Sequence, residues 1–275
     1  MIYKTYRRAD FCPKLPKTDS DITLTAYARP ATRAKADNGE RWAVLVLPGG
    51  GYKMLAPSEG EPIALAFLAH GMQAFVLKYS ITPARWPQQL LEAAAAVAFI
   101  RQHAEQYGIR PDRVAVCGFS AGGHLAACLS TLYHLPVIST TLGLDPQAVR
   151  PNAAILSYPV TMPGGFGGDL TYEALLGEAW KEHLPSELIL PDAVTAQNPP
   201  TSLWTTAADE AVPPENTLRF ASALLAAGVP FEAHVFSEGP HAMGLGDAEC
   251  AYDEAHLQPR AASWHRLCVD WLRSL

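Results

Sequence analysis

Gly118-Phe119-Ser120-Ala121-Gly122-Gly123-His124 is a G-x-S-x-G sequence set between an apolar run and a small-residue segment. The run before it, Val114-Ala115-Val116-Cys117, reads as a short buried strand, and Ala121 to Leu132 reads as a helix rich in Ala, Leu and Gly. A serine on a sharp strand-to-helix turn is pushed out into a cleft, and flanking glycines let the backbone fold that tightly. The stretch is therefore a nucleophile-elbow candidate. A glycine-rich turn that merely contains serine would show the same five residues, so the reading depends on what surrounds it.

Outward from the elbow, strands and helices alternate. Trp42 to Leu47 is apolar at every position, as expected of a parallel strand covered on both faces. Pro62 to His70 reads as a helix stopped by Gly71, Ala74 to Tyr79 as a buried strand, and Gln88 to His103 as a helix opened by Pro87. Downstream, strands are expected at Ala153 to Tyr158, Ser202 to Ala207 and Phe231 to Phe236, with helices at Glu215 to Ala227 and Pro259 to Arg273. Upstream, Ile22 to Ala28 alternates like a half-exposed strand, an edge strand is expected within the first forty residues, and 32–40 reads as a loop. The alternation predicts an α/β fold with a mostly parallel central sheet, flanked by helices, and a functional crevice at the carboxyl ends of the strands.

At 275 residues and 49% hydrophobic content, one domain over 1–275 is the expectation. The segment 160–200 departs from the alternation. It carries Pro163-Gly164-Gly165-Phe166-Gly167-Gly168, a short helix near Tyr172 to Leu176 and another near Ser186, and is read as a small lid insertion, with a solvated loop as the alternative.

A net charge of −6 without a basic stripe argues against nucleic acid as a partner. The charged N-terminus carries no apolar leader, and no apolar segment reaches membrane-spanning length, so a cytoplasmic protein with no membrane partner is expected. Cys12, Cys117, Cys128, Cys250 and Cys268 are scattered without a metal-binding or redox pattern, which reads as free thiols. Cys117, beside the elbow, reads as an inert buried strand residue.

A serine nucleophile needs a histidine to take its proton and a carboxylate to orient that histidine. Asp209 follows a predicted strand, in Thr206-Ala207-Ala208-Asp209-Glu210-Ala211-Val212-Pro213, and His241 follows the next, in Ser237-Glu238-Gly239-Pro240-His241-Ala242. Glu210 competes for the acid role, but Asp209 lies nearer the strand end. His124, on the elbow helix, and His103 and His265, on helices remote from strand ends, read as surface or packing histidines. Pro48-Gly49-Gly50-Gly51-Tyr52 follows the strand Trp42 to Leu47, where such a loop supplies N–H groups to an oxyanion, so Gly50, Gly51 and Ala121 are the expected donors. A phosphate cradle is the alternative use of a glycine run, but no G-K-[ST] or G-x-G-x-x-G accompanies it. Tyr52, Trp86, Phe119, Trp204 and Met243 are expected beside the cleft as substrate-binding residues, with a core role as the alternative.

From Trp42 onward the chain resembles the α/β-hydrolase superfamily, and within it the bacterial acetyl esterase or xylan esterase-like lipase/esterase group. The resemblance is carried by Leu47 to Tyr52, Ser58-Glu59-Gly60-Glu61-Pro62, Trp86-Pro87-Gln88-Gln89-Leu90, the elbow, Pro199-Pro200-Thr201 and the Asp209 and His241 segments. It implies hydrolysis of small carboxylic esters, acetyl esters of sugars or xylo-oligosaccharides among them, without metal or organic cofactor, and a homodimer as one expected state. Pro48 stands where hormone-sensitive-lipase relatives begin the loop with histidine, and Ser120 stands where dienelactone hydrolases use cysteine. Two other readings stay open at this level: the same triad cutting an amide, as in prolyl-oligopeptidase-like peptidases or arylformamidases, and a non-catalytic binding protein on the same fold.

Overall fold

The computed structural model describes residues 1–15, 18, 20–30 and 41–275. Its strands are β1 (Ile2–Arg7), β2 (Thr23–Ala28), β3 (Arg41–Leu47), β4 (Gln73–Lys78), β5 (Ile109–Phe119), β6 (Ala153–Ser157), β7 (Thr201–Thr206) and β8 (Phe231–Phe236). They form one sheet in the order β1-β2-β4-β3-β5-β6-β7-β8. β1 with β2 and β2 with β4 pair antiparallel, and the remaining pairs are parallel. Along β3, Ala43, Leu45 and Leu47 face one apolar cluster while Val44 and Val46 face the other. Burial on both faces is the physical reason the run is apolar throughout.

The longer helices are α1 (Glu61–Ala69), α2 (Gln88–Gln102), α3 (Ala121–Leu132), α4 (Gly165–Leu176), α5 (Glu215–Ala226) and α6 (Trp264–Ser274). Leu90 and Val97 of α2, Leu125 and Leu129 of α3, and Phe220 and Leu224 of α5 fill one cluster. Phe67 of α1, with Trp264, Cys268 and Leu272 of α6, fills the other. The result is a sheet sandwiched between two helical layers, which is the α/β-hydrolase arrangement.

Four expectations need adjustment. β2 is buried along its whole length because it lies between β1 and β4; the exposed edge strand is β1. The loop expected at 32–40 lies outside the described residues. The last helix starts at Trp264, after a 3-10 turn at Ala261–Ser263. Finally, α4 begins inside the glycine-rich run read as irregular. The glycines there allow contact: a Cβ on Gly165 would sit 2.9 Å from Pro213 Cδ, and one on Gly167 2.7 Å from the Ala211 carbonyl oxygen. Tyr172, Leu175, Leu188 and Leu190 of the same segment are fully buried, so it is packed onto the body of the fold and is not a solvated loop.

Candidate active site

β5 ends at Phe119 and α3 begins at Ala121, leaving Ser120 at φ 53°, ψ −116°. The glycines of the motif do not carry the positive φ; the serine does. Their role is close approach. A Cβ on Gly118 would lie 2.1 Å from the Gly122 carbonyl oxygen, and one on Gly122 would lie 2.0 Å from that of Leu47. The strained serine is held by its neighbours: its N–H donates to Ser157 O at 3.0 Å, and its carbonyl accepts from His124 N at 2.9 Å and Val160 N at 3.2 Å. Such a conformation costs about 1–3 kcal/mol and persists only when surrounded by constraints of this kind.

Asp209 and His241 leave consecutive parallel strands, β7 and β8, and converge on Ser120. His241 Nε2 lies 2.7 Å from Ser120 Oγ, and His241 Nδ1 lies 2.7 Å from Asp209 Oδ2. The Asp209 side chain is 1% exposed, and its Oδ1 accepts N–H bonds from Ala211 at 3.0 Å and Val212 at 2.9 Å. A carboxylate held by two backbone donors keeps its second oxygen aimed at the imidazole. Glu210, the competing acid, points outward and is exposed. The arrangement can take a proton from the serine hydroxyl and hold the imidazolium that results.

The glycine loop after β3 lies against the elbow: a Cβ on Gly49 would be 3.0 Å from Ser120 Cβ. The Gly50 carbonyl accepts from Lys53 N and Met54 N, and the Gly49 carbonyl from Ala56 N. Among the described residues, the N–H groups of Gly50, Gly51 and Ala121 meet no acceptor, so all three expected donors are free. Ala121 is free because it opens α3, where the first N–H groups have no partner within the helix.

The expected substrate-binding residues are placed differently. Tyr52, Phe119, Trp204 and Met243 are closed off from solvent and belong to the core instead of lining an open cleft. Trp204 stacks on Trp264 at 5.2 Å and donates its Nε1–H to Ser157 Oγ at 2.8 Å. Phe119 packs edge-on against Trp264. The Tyr52 hydroxyl lies 2.9 Å from His124 Nδ1, and burial lowers the His124 pKa to about 3, keeping that imidazole neutral. The physical reason is area: large rings at strand ends gain more from filling the interior than from lining water. Only Trp86 is half-exposed, and its backbone N–H donates to Leu175 O at 3.1 Å. A cavity of about 690 Å³ opens beside the glycine loop, with Pro48, Met54, Tyr27, Lys78 and Thr82 among its walls. Neither Ser120 nor His241 lines it.

Two polar residues at the site were given no role from the sequence, although Glu59 lies in the Ser58 to Pro62 stretch that carries the resemblance. Glu59 is buried directly behind the glycine loop, and Tyr158 follows β6 beneath His241. Burial raises the Glu59 carboxyl above its ordinary range, opposed by the hydrogen bonds it accepts. An acidic residue soon after the glycine loop was the available signal; Tyr158 offered none beyond its strand-end position. The five cysteines are free and buried, and burial pushes the Cys117 thiol well above its ordinary range, so it stays protonated. Among the described residues, no three His, Cys, Asp or Glu side chains cluster as a metal site would require.

Sheet order, elbow and the Ser-His-Asp convergence at the strand ends together define an α/β-hydrolase. The BD-FAE family model matches residues 33–224, and the chain belongs to that family. Endo-1,4-beta-xylanase B of Butyrivibrio fibrisolvens is 34% identical over 221 residues, covering 78% of this chain and 34% of that protein. The acetylxylan esterase of Xylanibacter ruminicola is 28% identical over 216 residues, covering 76% of this chain and 42% of that protein. The chain thus spans well under half the length of these curated relatives. Among solved structures, an acetyl ester-xyloside bifunctional hydrolase from Caldicellulosiruptor lactoaceticus superposes with TM-score 0.79 at 33% identity, covering 97% of this chain and 93% of that one. The carboxylesterase Cest-2923 from Lactobacillus plantarum superposes with TM-score 0.82 at 26% identity, covering 100% and 98%.

Proposed function

We propose that the chain is a serine carboxylic ester hydrolase acting on small acyl esters, acetyl esters of sugars or xylo-oligosaccharides in particular. The observation that carries this reading is the unbroken hydrogen-bonded line from Ser120 Oγ through His241 to Asp209, with 2.7 Å at each link. In this reading Ser120 attacks the ester carbonyl while His241 accepts its proton. Asp209 holds the imidazole in the tautomer that presents a bare Nε2, and the N–H groups of Gly50, Gly51 and Ala121 receive the oxyanion. The tetrahedral adduct collapses with His241 protonating the departing alcohol. Water then repeats the sequence on the acyl-enzyme, again with His241 as base. One domain with the 160–200 insertion packed beside the acid loop is part of the same proposal. The acetyl and sugar preference draws its support from the names of the relatives, an acetylxylan esterase and an acetyl ester-xyloside hydrolase among them.

The test is hydrolysis of p-nitrophenyl acetate by wild type beside Ser120→Ala. The expected outcome is activity in the wild type and a loss on the order of 10³-fold or more in the variant. Equal activity in both would move the nucleophile elsewhere. Octanoyl esters turned over faster than acetyl esters would remove the short-acyl preference while leaving the serine chemistry intact.

A further inference from the structure

Glu59 ends the 3-10 turn Pro57–Glu59 and is 1% exposed, a carboxyl withdrawn from water in the wall of the site. Burying such a group is costly unless each oxygen finds a donor, and here each does. Oε2 accepts the Gly49 N–H at 2.7 Å, and Oε1 accepts the Tyr158 hydroxyl at 2.7 Å. The Tyr158 oxygen in turn accepts the Gly244 N–H at 2.9 Å, three residues beyond His241. The Gly244 carbonyl is held from the other side by Trp264 Nε1–H at 2.9 Å. One side chain thus joins the glycine loop, the segment after β6 and the segment that carries the histidine.

We propose that Glu59 is a positioning residue for acyl transfer, its carboxylate setting the glycine-loop donors and, through the Tyr158 hydroxyl, the ring of His241. This rests on the hydrolase reading above. The argument is about direction. With its N–H turned back to Glu59, Gly49 is anchored behind the loop. The Gly50 carbonyl is taken by Lys53 and Met54, and the Gly50 and Gly51 N–H groups are among the loop's free donors. On the other arm, Tyr158 sits at φ 35° and its ring packs edge-to-face with His241, centroids 4.9 Å apart. Its hydroxyl is tethered at the far end of the ring by Glu59 and Gly244, which fixes where the ring lies against the imidazole. A carboxylate accepts both donors at once. A carboxamide of the same shape cannot, because its NH₂ would confront either the Gly49 N–H or the Tyr158 hydroxyl proton.

The transition state depends on donors and base placed to fractions of an ångström, whereas ground-state binding depends on them far less. Glu59→Gln is therefore expected to lower kcat for p-nitrophenyl acetate on the order of 100-fold with KM little changed. A residue that only held the fold together would lower the melting temperature and leave kcat per folded molecule intact. Tyr158→Phe keeps the Gly49 bond and severs only the histidine arm, so a smaller kcat loss is expected.

The experiment measures kcat and KM for wild type, Glu59→Gln and Tyr158→Phe, normalised to folded protein by thermal melts. Beside these run the rate of labelling by a fluorophosphonate and the low-field proton resonance of His241 Nδ1–H. Losses in kcat and labelling rate together with a displaced resonance in folded variants support the proposal. Wild-type kcat, labelling and resonance in folded Glu59→Gln overturn it. Should Glu59→Gln fail to fold, Tyr158→Phe decides in the same way, since it deletes one hydroxyl and leaves the carboxylate in place. If the wild type neither hydrolyses esters nor labels, the hydrolase reading is what fails. The resonance then decides the positioning claim: displaced in either folded variant it supports the claim, unmoved it removes it.

Discussion

The ring of Tyr158 packs edge-to-face with the His241 imidazole while its hydroxyl donates to the buried Glu59 carboxylate. Among the described residues, four non-glycine positions have positive φ: Tyr52, Ser120, Tyr158 and Ala242. One ends the glycine-loop motif, one is the serine of the elbow, one supports the histidine and one follows it. Backbone strain collects at this site and nowhere else among non-glycine residues described, and the bonds from Glu59, Ser157, Trp204 and Trp264 are what hold it.

Asp209→Asn leaves the shape of the site unchanged and removes its logic. Oδ1 must still accept from Ala211 and Val212, so the new NH₂ faces His241 Nδ1 and drives the ring into the tautomer that carries its proton on Nε2. kcat for p-nitrophenyl acetate should fall on the order of 10³- to 10⁴-fold, with a circular dichroism spectrum matching wild type.

Gly50→Ala tests the proposed oxyanion loop. A Cβ there would meet the Met54 carbonyl oxygen at 2.4 Å, and φ is +120°, so the loop must shift. Displacing one donor of this kind should lower kcat on the order of 10²-fold, whereas a Glu210→Ala change in the same assay should leave kcat near wild type.

Gly122→Ala addresses the elbow itself. With the Leu47 carbonyl 2.0 Å from the added carbon, β3 and α3 must separate, and a loss of about 3 kcal/mol in unfolding free energy is expected by urea titration.

His265 is buried against Phe67 and His70, its Nε2 has no hydrogen-bond partner, and burial, with His70 adding to it, lowers its pKa to about 4. The unfolded chain protonates this histidine near pH 6.5, so between about 6.5 and 4 the unfolded state holds more protons than the folded one. Stability contributed at neutral pH is therefore lost as the pH falls through that window. His265→Phe removes the effect. Its stability relative to wild type should rise by about 1 kcal/mol between pH 7.5 and 5.5, measured by urea titration at each pH. A difference that stays constant with pH would refute the assignment.

The alternation of apolar runs with helical segments was legible because a strand covered on both faces favours apolar side chains, as Trp42 to Leu47 shows. The elbow, Asp209 and His241 were legible for a related reason. Each stands immediately after a strand, and in a parallel sheet all such positions meet at one edge. Less legible was the glycine run at 164–168, where a loop was expected and α4 begins, because glycine chosen for close contact with Ala211 and Pro213 looks the same as glycine chosen for a turn. Four of the five residues expected in the cleft take the core role that was their alternative, because apolarity near a strand end does not say whether a side chain faces water or the next layer.

Taken alone, the sequence determined the α/β alternation, the candidate serine, acid and histidine and their order, and the glycine loop that accompanies them, since each follows from local pattern and position relative to a strand. Only the tertiary structure decided that Glu59 bridges Gly49 and Tyr158, that Ser120 instead of its glycines bears the strain, and that Tyr52 and Trp204 belong to the core. These are relations between residues up to 99 positions apart, with Glu59 and Tyr158 as the case. Distance along the chain carries no record of them, because they arise when separately legible segments are packed to interior density.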